Sequence, residues 1–168
     1  MKKYLALFCS FFIMAFYSCK SDQGSNTTSQ EKVAVTSQAN SGPQFESIPQ
    51  DIMMRVWNEV DLLDYIFHNL PFSMSQDEQA SIRSNVGYIA QETQTNIPEG
   101  CRPIARQFYQ TAGDIFLEAD IYFDENCQFY VFFIDGKASY ANKMSPSGVS
   151  FFKTMISKAL NASQSGGQ

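Results

Sequence analysis

Residues 115–136 read Ile115-Phe116-Leu117-Glu118-Ala119-Asp120-Ile121-Tyr122-Phe123, then Asp124-Glu125-Asn126, then Cys127-Gln128-Phe129-Tyr130-Val131-Phe132-Phe133-Ile134, then Asp135-Gly136. The first run alternates, with Ile115, Leu117, Ala119, Ile121 and Phe123 on one side and Phe116, Glu118, Asp120 and Tyr122 on the other. A period of two is the pattern of a strand. Asp124-Glu125-Asn126 is turn chemistry. The run from Cys127 to Ile134 is apolar on both faces, as a central strand is. Asp135 and Gly136 both tolerate positive φ, so the chain is predicted to reverse there and return from Lys137 to Asn142. A first strand from Ile104 completes a four-stranded antiparallel meander.

Working upstream, the period becomes helical. Ser47 to Gln50 has the form of a capping box, with Pro49 in the first turn. Met53, Val56, Val60, Leu63, Phe67 and Leu70 follow at three- and four-residue steps, up to Pro71. Ser75 and Glu78 open a second helix through Ala80, Ile82, Val86 and Ile89. Downstream, Ser145-Pro146 caps a third helix carrying Val149, Phe152, Met155, Ile156 and Leu160. The expected class is α+β: a four-stranded antiparallel meander with two N-terminal helices and one C-terminal helix packed on one face.

Turn length then assigns faces, because a slip of one residue inverts a strand. A three-residue turn pairs Phe123 with Cys127, and a two-residue turn pairs Ile134 with Lys137. In that register Ile121, Phe123, Phe129, Val131, Phe133 and Tyr140 lie under the helices. The outer face carries Phe116, Glu118, Asp120, Tyr122, Tyr130 and Phe132, with Gln128, Ser139 and Arg106 beside them. Interleaved aromatic and acidic groups suit a protein, peptide or glycan surface. The alternative is that a loop, or the small apolar patch Val33-Ala34-Val35, covers this face.

Cys101 and Cys127 are expected to form a disulfide, with the loop before Arg102 folded over the sheet end to bring them together. A metal or redox pair is disfavoured, since no Cys-x-x-Cys spacing occurs and His68 is the only histidine. No metal site or cofactor is expected. Glu118 and Asp120 project together, a pair suited to acid–base work or to a hard cation, but the favoured reading is a solvated strand face with Arg106 or a lysine nearby. Asp61 and Asp64 read as solvated helix positions, and His68 as a charge complement at a helix end. Motifs for a nucleophile elbow or a phosphate loop are absent from the sequence.

The N-terminus is a different kind of segment. Met1-Lys2-Lys3 is basic, Tyr4 to Tyr17 is almost unbroken apolar sequence, and Ser18-Cys19 closes it. This resembles the lipobox of bacterial lipoproteins on Ser18 and Cys19, while Phe16 and Tyr17 stand where the usual pattern has Leu and a small residue. Lys20-Ser21-Asp22 resembles the charged export tags of Bacteroidetes-type lipoproteins. The resemblance implies cleavage before Cys19, lipidation of its thiol (palmitate among the acyl groups), and anchoring to the cell envelope, the outer membrane being one expected location.

The implied organisation is a signal peptide at 1–18, a lipidated Cys19 with a polar tether to residue 44, one α+β domain at 45–162, and a frayed tail at 163–168. Cleavage removes two lysines and no acid, so the net charge moves from −5 to −7. An acidic chain does not suit nucleic acid. The expected function is non-enzymatic binding of an envelope protein or an extracellular polymer through the aromatic and acidic face. The alternatives are a hydrolase using Glu118 and Asp120, and a carrier of a small apolar ligand.

Overall fold

The computed structural model describes residues 43–165. Cys19, the expected signal peptide, nearly all of the tether and the Val33-Ala34-Val35 patch lie outside the described residues.

The elements run α1 (Gln50–Glu59), β1 (Leu62–Phe67), β2 (Ser73–Gln76), α2 (Gln79–Val86), β3 (Ile89–Thr93), β4 (Pro103–Thr111), β5 (Asp114–Phe123), β6 (Gln128–Ile134), β7 (Lys137–Met144) and α3 (Pro146–Ser165). The class is α+β with three helices and an antiparallel sheet. The sheet, however, has seven strands in the order β2-β1-β4-β5-β6-β7-β3, where four were expected.

The meander β4 to β7 is the predicted one. Of the three additional strands, β1 comes from a segment expected to be helical, and β2 and β3 lie at the two ends of the second expected helix. The first helix ends at Glu59, and Val60 is already extended at φ −69° and ψ 128°. In the stretch that follows, Leu63, Tyr65 and Phe67 are buried while Ile66 is exposed, an alternation that only a strand satisfies. Leu63 and Phe67 are four apart, so they fit a helix face and a strand face equally. Tyr65 breaks the tie, because the sheet buries it and the helix would expose it.

The two capping boxes also differ from expectation. Neither Pro49 nor Glu78, the residues at the helix starts, makes a side-chain cap. Ser73–Gln76 instead pairs with β1 at the sheet edge, and α2 is only eight residues long. At the third helix the reading holds: the Gly148 amide donates to Ser145 Oγ at 3.2 Å.

All three helices contribute to one core, in which Val56, Ile82 and Phe152 pack with Leu63, Leu117, Ala119, Ile121, Tyr130 and Phe132. A hydrogen-bonded relay crosses it. The Tyr109 hydroxyl donates to Gln107 Oε1 at 3.1 Å, Gln107 Nε2 donates to Tyr65 Oη at 2.9 Å, and Tyr65 donates to Asn85 Oδ1. Asn85 Nδ2 then reaches Gln76 Oε1 at 2.7 Å. Each buried polar group thereby gains a partner, which burial demands.

A second, smaller core lies on the other side of the sheet, where Phe45, Cys101, Tyr122, Cys127, Phe129, Val131 and Ala141 meet. The Cys101–Cys127 disulfide ties it, with 5.8 Å between Cα atoms. As expected, the loop ahead of β4 folds over the sheet end to make that bridge.

Candidate functional site

The expected binding face depends on register, and the register of β6 differs by one residue. Phe123 pairs with Gln128, not Cys127. Asp124 is the cause: its Oδ1 accepts from the amides of Asn126 at 2.8 Å and Cys127 at 3.0 Å, which draws Cys127 into the turn. Adding one residue to the turn inverts the strand. Phe129, Val131 and Phe133 move to the outer face, and Tyr130 and Phe132 move beneath the helices, where they are 1% and 0% exposed. Both are therefore core residues and not part of an open face.

Phe116 is displaced for a separate reason. Between Leu117↔Tyr109 and Ile115↔Gln110 it has no cross-strand partner, so it is the extra residue of a bulge. It packs against the helix-side core with Arg55 of α1 at 3.9 Å over its ring. Tyr122 is on the outer face as expected, but it stacks on Phe129 within the small core.

Glu118 and Asp120 project together from the outer face, and Arg106 projects between them. Its Nε and Nη2 donate to the two oxygens of Asp120 at 2.8 and 3.0 Å, and its Nη1 donates to Glu118 Oε2 at 3.2 Å. The guanidinium also lies 4.4 Å over the Phe133 ring. Hydrogen bonding to Asp120, opposed by partial burial, holds the arginine pKa above its usual value. The fork occupies both oxygens of Asp120 and one of Glu118, which opposes their use as a general base.

What remains open on this face follows from two cross-strand rows. Ser73, Ile66, Arg106, Asp120 and Val131 form one, and Ser75, Asp64, Phe108, Glu118 and Phe133 form the other. Phe45, Cys101 and the disulfide cover the Val131 end. Away from that cover Ile66 is 52% exposed and Phe108 is half-buried, while Phe133, also half-buried, lies beside Val131 on β6 and packs at the margin of the small core. Asp64 accepts from Ser75 and from Gln110, so it is a sheet residue tied into this surface and not a helix position.

No family model, curated protein or solved structure matches this chain.

Among the described residues, no group of three His, Cys, Asp or Glu side chains is arranged to hold a metal, and no helix is long and apolar enough to cross a membrane. His68 is exposed just after β1, where its amide donates to Ile104 O at 2.9 Å. The Ala112-Gly113 reversal between β4 and β5 went unread in the sequence, although a glycine between two alternating runs is a turn signal; both residues have positive φ. On the helix side of the sheet, a groove of about 480 Å³ opens between α1 and β3.

Proposed function

We propose that the domain is a non-enzymatic binding module, held at the cell envelope by lipid on Cys19, and that it docks another envelope protein through the open end of its outer sheet face. The observation that carries this reading is the setting of Ile66, Phe108 and Phe133 around Arg106. An exposed β-branched residue and two half-buried rings surround a guanidinium that is already paired. Apolar anchors with an arginine among satisfied polar groups are the composition of protein interfaces. The occupied fork between Glu118 and Asp120 weighs against carboxylate-dependent hydrolysis. The anchor is supported by the basic start, the apolar run and Ser18-Cys19.

Site-specific photo-crosslinking in the native envelope tests the docking face. A photoreactive residue at 108 is expected to trap one discrete protein adduct, and the same residue at 158 on α3 none. Equal adducts from both positions would sink the reading, and an adduct with polysaccharide from position 108 would replace the protein partner by a polymer.

A further inference from the structure

From the groove on the helix side we infer a second, independent binding site, for an uncharged single-chain amphiphile: an aliphatic tail with a hydroxyl- or amide-bearing head. The groove exists because β3 departs from regular pairing. Ile89 pairs with Met144 and Thr93 with Asn142, so five residues on β3 lie opposite three on β7 and the strand bows away. The buried side chain of Asn142 fills the base of that gap. Its Oδ1 accepts from the Ile48 amide at 2.8 Å, and its Nδ2 donates to Ser47 Oγ at 2.6 Å and to Ala90 O at 2.9 Å. The floor is thus rigid and its polar atoms are satisfied. The bow leaves open space between Ile89–Gln91 and α1.

Three properties of the groove select the ligand. Its volume, about 480 Å³, lies within the range of roughly 300–1,000 Å³ typical of small-molecule sites. Its apolar wall is built from Met53, Met54 and Trp57 of α1 with Val86 and Ile89 opposite. Met54 and Trp57 are 49% and 40% exposed, so a short helix leaves large apolar surface facing this space. Methionine side chains are unbranched and polarizable and conform to an aliphatic chain.

The third property is charge. Among the described residues no acidic or basic side chain lines the groove. A carboxylate or ammonium placed within it would lose hydration without gaining a partner from the walls. Arg83 lies 5.2 Å over the Trp57 ring but is not part of the wall. What the walls do offer a head group is neutral: the Ser47 hydroxyl proton and the carboxamides of Gln50 and Gln91. A hydroxyl or amide head can pair with these at no electrostatic penalty.

Trp57 is the only tryptophan in the chain, so its emission reports this groove alone. The test is a titration of the full chain with monolaurin below its micelle concentration, with laurate in parallel. Monolaurin is expected to give a saturable blue shift, and laurate to bind at least about tenfold more weakly because its carboxylate finds no partner. Met54→Glu, at a half-exposed position that tolerates a charge, should weaken monolaurin by a similar factor with unchanged circular dichroism. Asp114→Asn, at the exposed start of β5 and outside the groove, should leave it unchanged. A shift that never saturates, one that survives Met54→Glu, or laurate binding as tight as monolaurin would overturn the inference.

Discussion

Arg106 engages two carboxylates and one aromatic ring from a single position on β4. Asp120 is only 8% exposed, and the fork of two hydrogen bonds is what makes its charge tolerable there. Arg106→Ala would leave that carboxylate without its partner, whereas Asp120→Asn would leave a neutral group that can still accept. We therefore expect Arg106→Ala to destabilise the fold by about 2–4 kcal/mol and Asp120→Asn by clearly less, read from urea midpoints. Equal losses would mean that the ion pair is incidental. A second residue-scale effect comes from the core tyrosines. Burial raises the pKa of Tyr65, Tyr109 and Tyr130 above the usual value of 10.0, and the neighbouring tyrosine hydroxyls raise Tyr65 and Tyr130 further. Unfolded, each ionises at about pH 10; folded, each keeps its proton to higher pH. The native state then binds more protons, so stability is complete below pH 10 and falls as pH rises through it. Urea midpoints between pH 8 and 12 should decline only above 10, with phenolate absorbance appearing together with unfolding. Phenolate absorbance from these tyrosines in a chain that remains folded would contradict it.

At the scale of elements, a close junction forms where α3 meets the chain leaving α2. Ser145 donates from its amide to Tyr88 O at 2.8 Å and from its hydroxyl to Gly87 O at 2.7 Å. Gly148 follows in the first turn of α3, and a Cβ there would lie 2.7 Å from the Tyr88 carbonyl oxygen. Backbone on both sides cannot retreat as a side-chain tip does, so Gly148→Ala is expected to destabilise by about 1–3 kcal/mol despite its better helix propensity. Thermal unfolding checks it, and a gain in stability would show that the junction is loose. The helix α3 and the strands β5 to β7 were legible in the sequence because each carries one unambiguous period and chemically marked ends, such as Ser145 and Asp135-Gly136. The strands β1 and β3 were not. Leu63 and Phe67 satisfy both periods, and β3 is a bowed edge whose contacts are set by Asn142, 52 residues from Ala90 in sequence. The candidate face was lost through a similar non-periodic detail. Asp124 enlarges a turn by one residue and thereby exchanges Tyr130 and Phe132 for Val131 and Phe133. Side-chain hydrogen bonds of this kind fix register but leave no pattern in hydropathy. The Glu118–Asp120 pair survived because both lie on β5, upstream of the slip.

At the scale of the molecule, the question is what would hold such a chain to an envelope. The net charge is −5, and −7 without residues 1–18, so anionic lipid would repel it. Among the described residues no helix can span a bilayer. On the proposed reading the attachment is covalent lipid on Cys19, since each buried methylene contributes about 0.8 kcal/mol and two or more chains give stable anchoring. This makes a sharp prediction, because lipid anchoring is indifferent to salt while charge-mediated adsorption weakens with it. Intact mass and membrane fractionation of the wild type beside Cys19→Ser should show lipid mass and retention through high-salt washing for the wild type alone. A processed wild type that lacks lipid mass and leaves the membrane would instead define a freely secreted domain, and would confine the search for its partner to the extracellular medium.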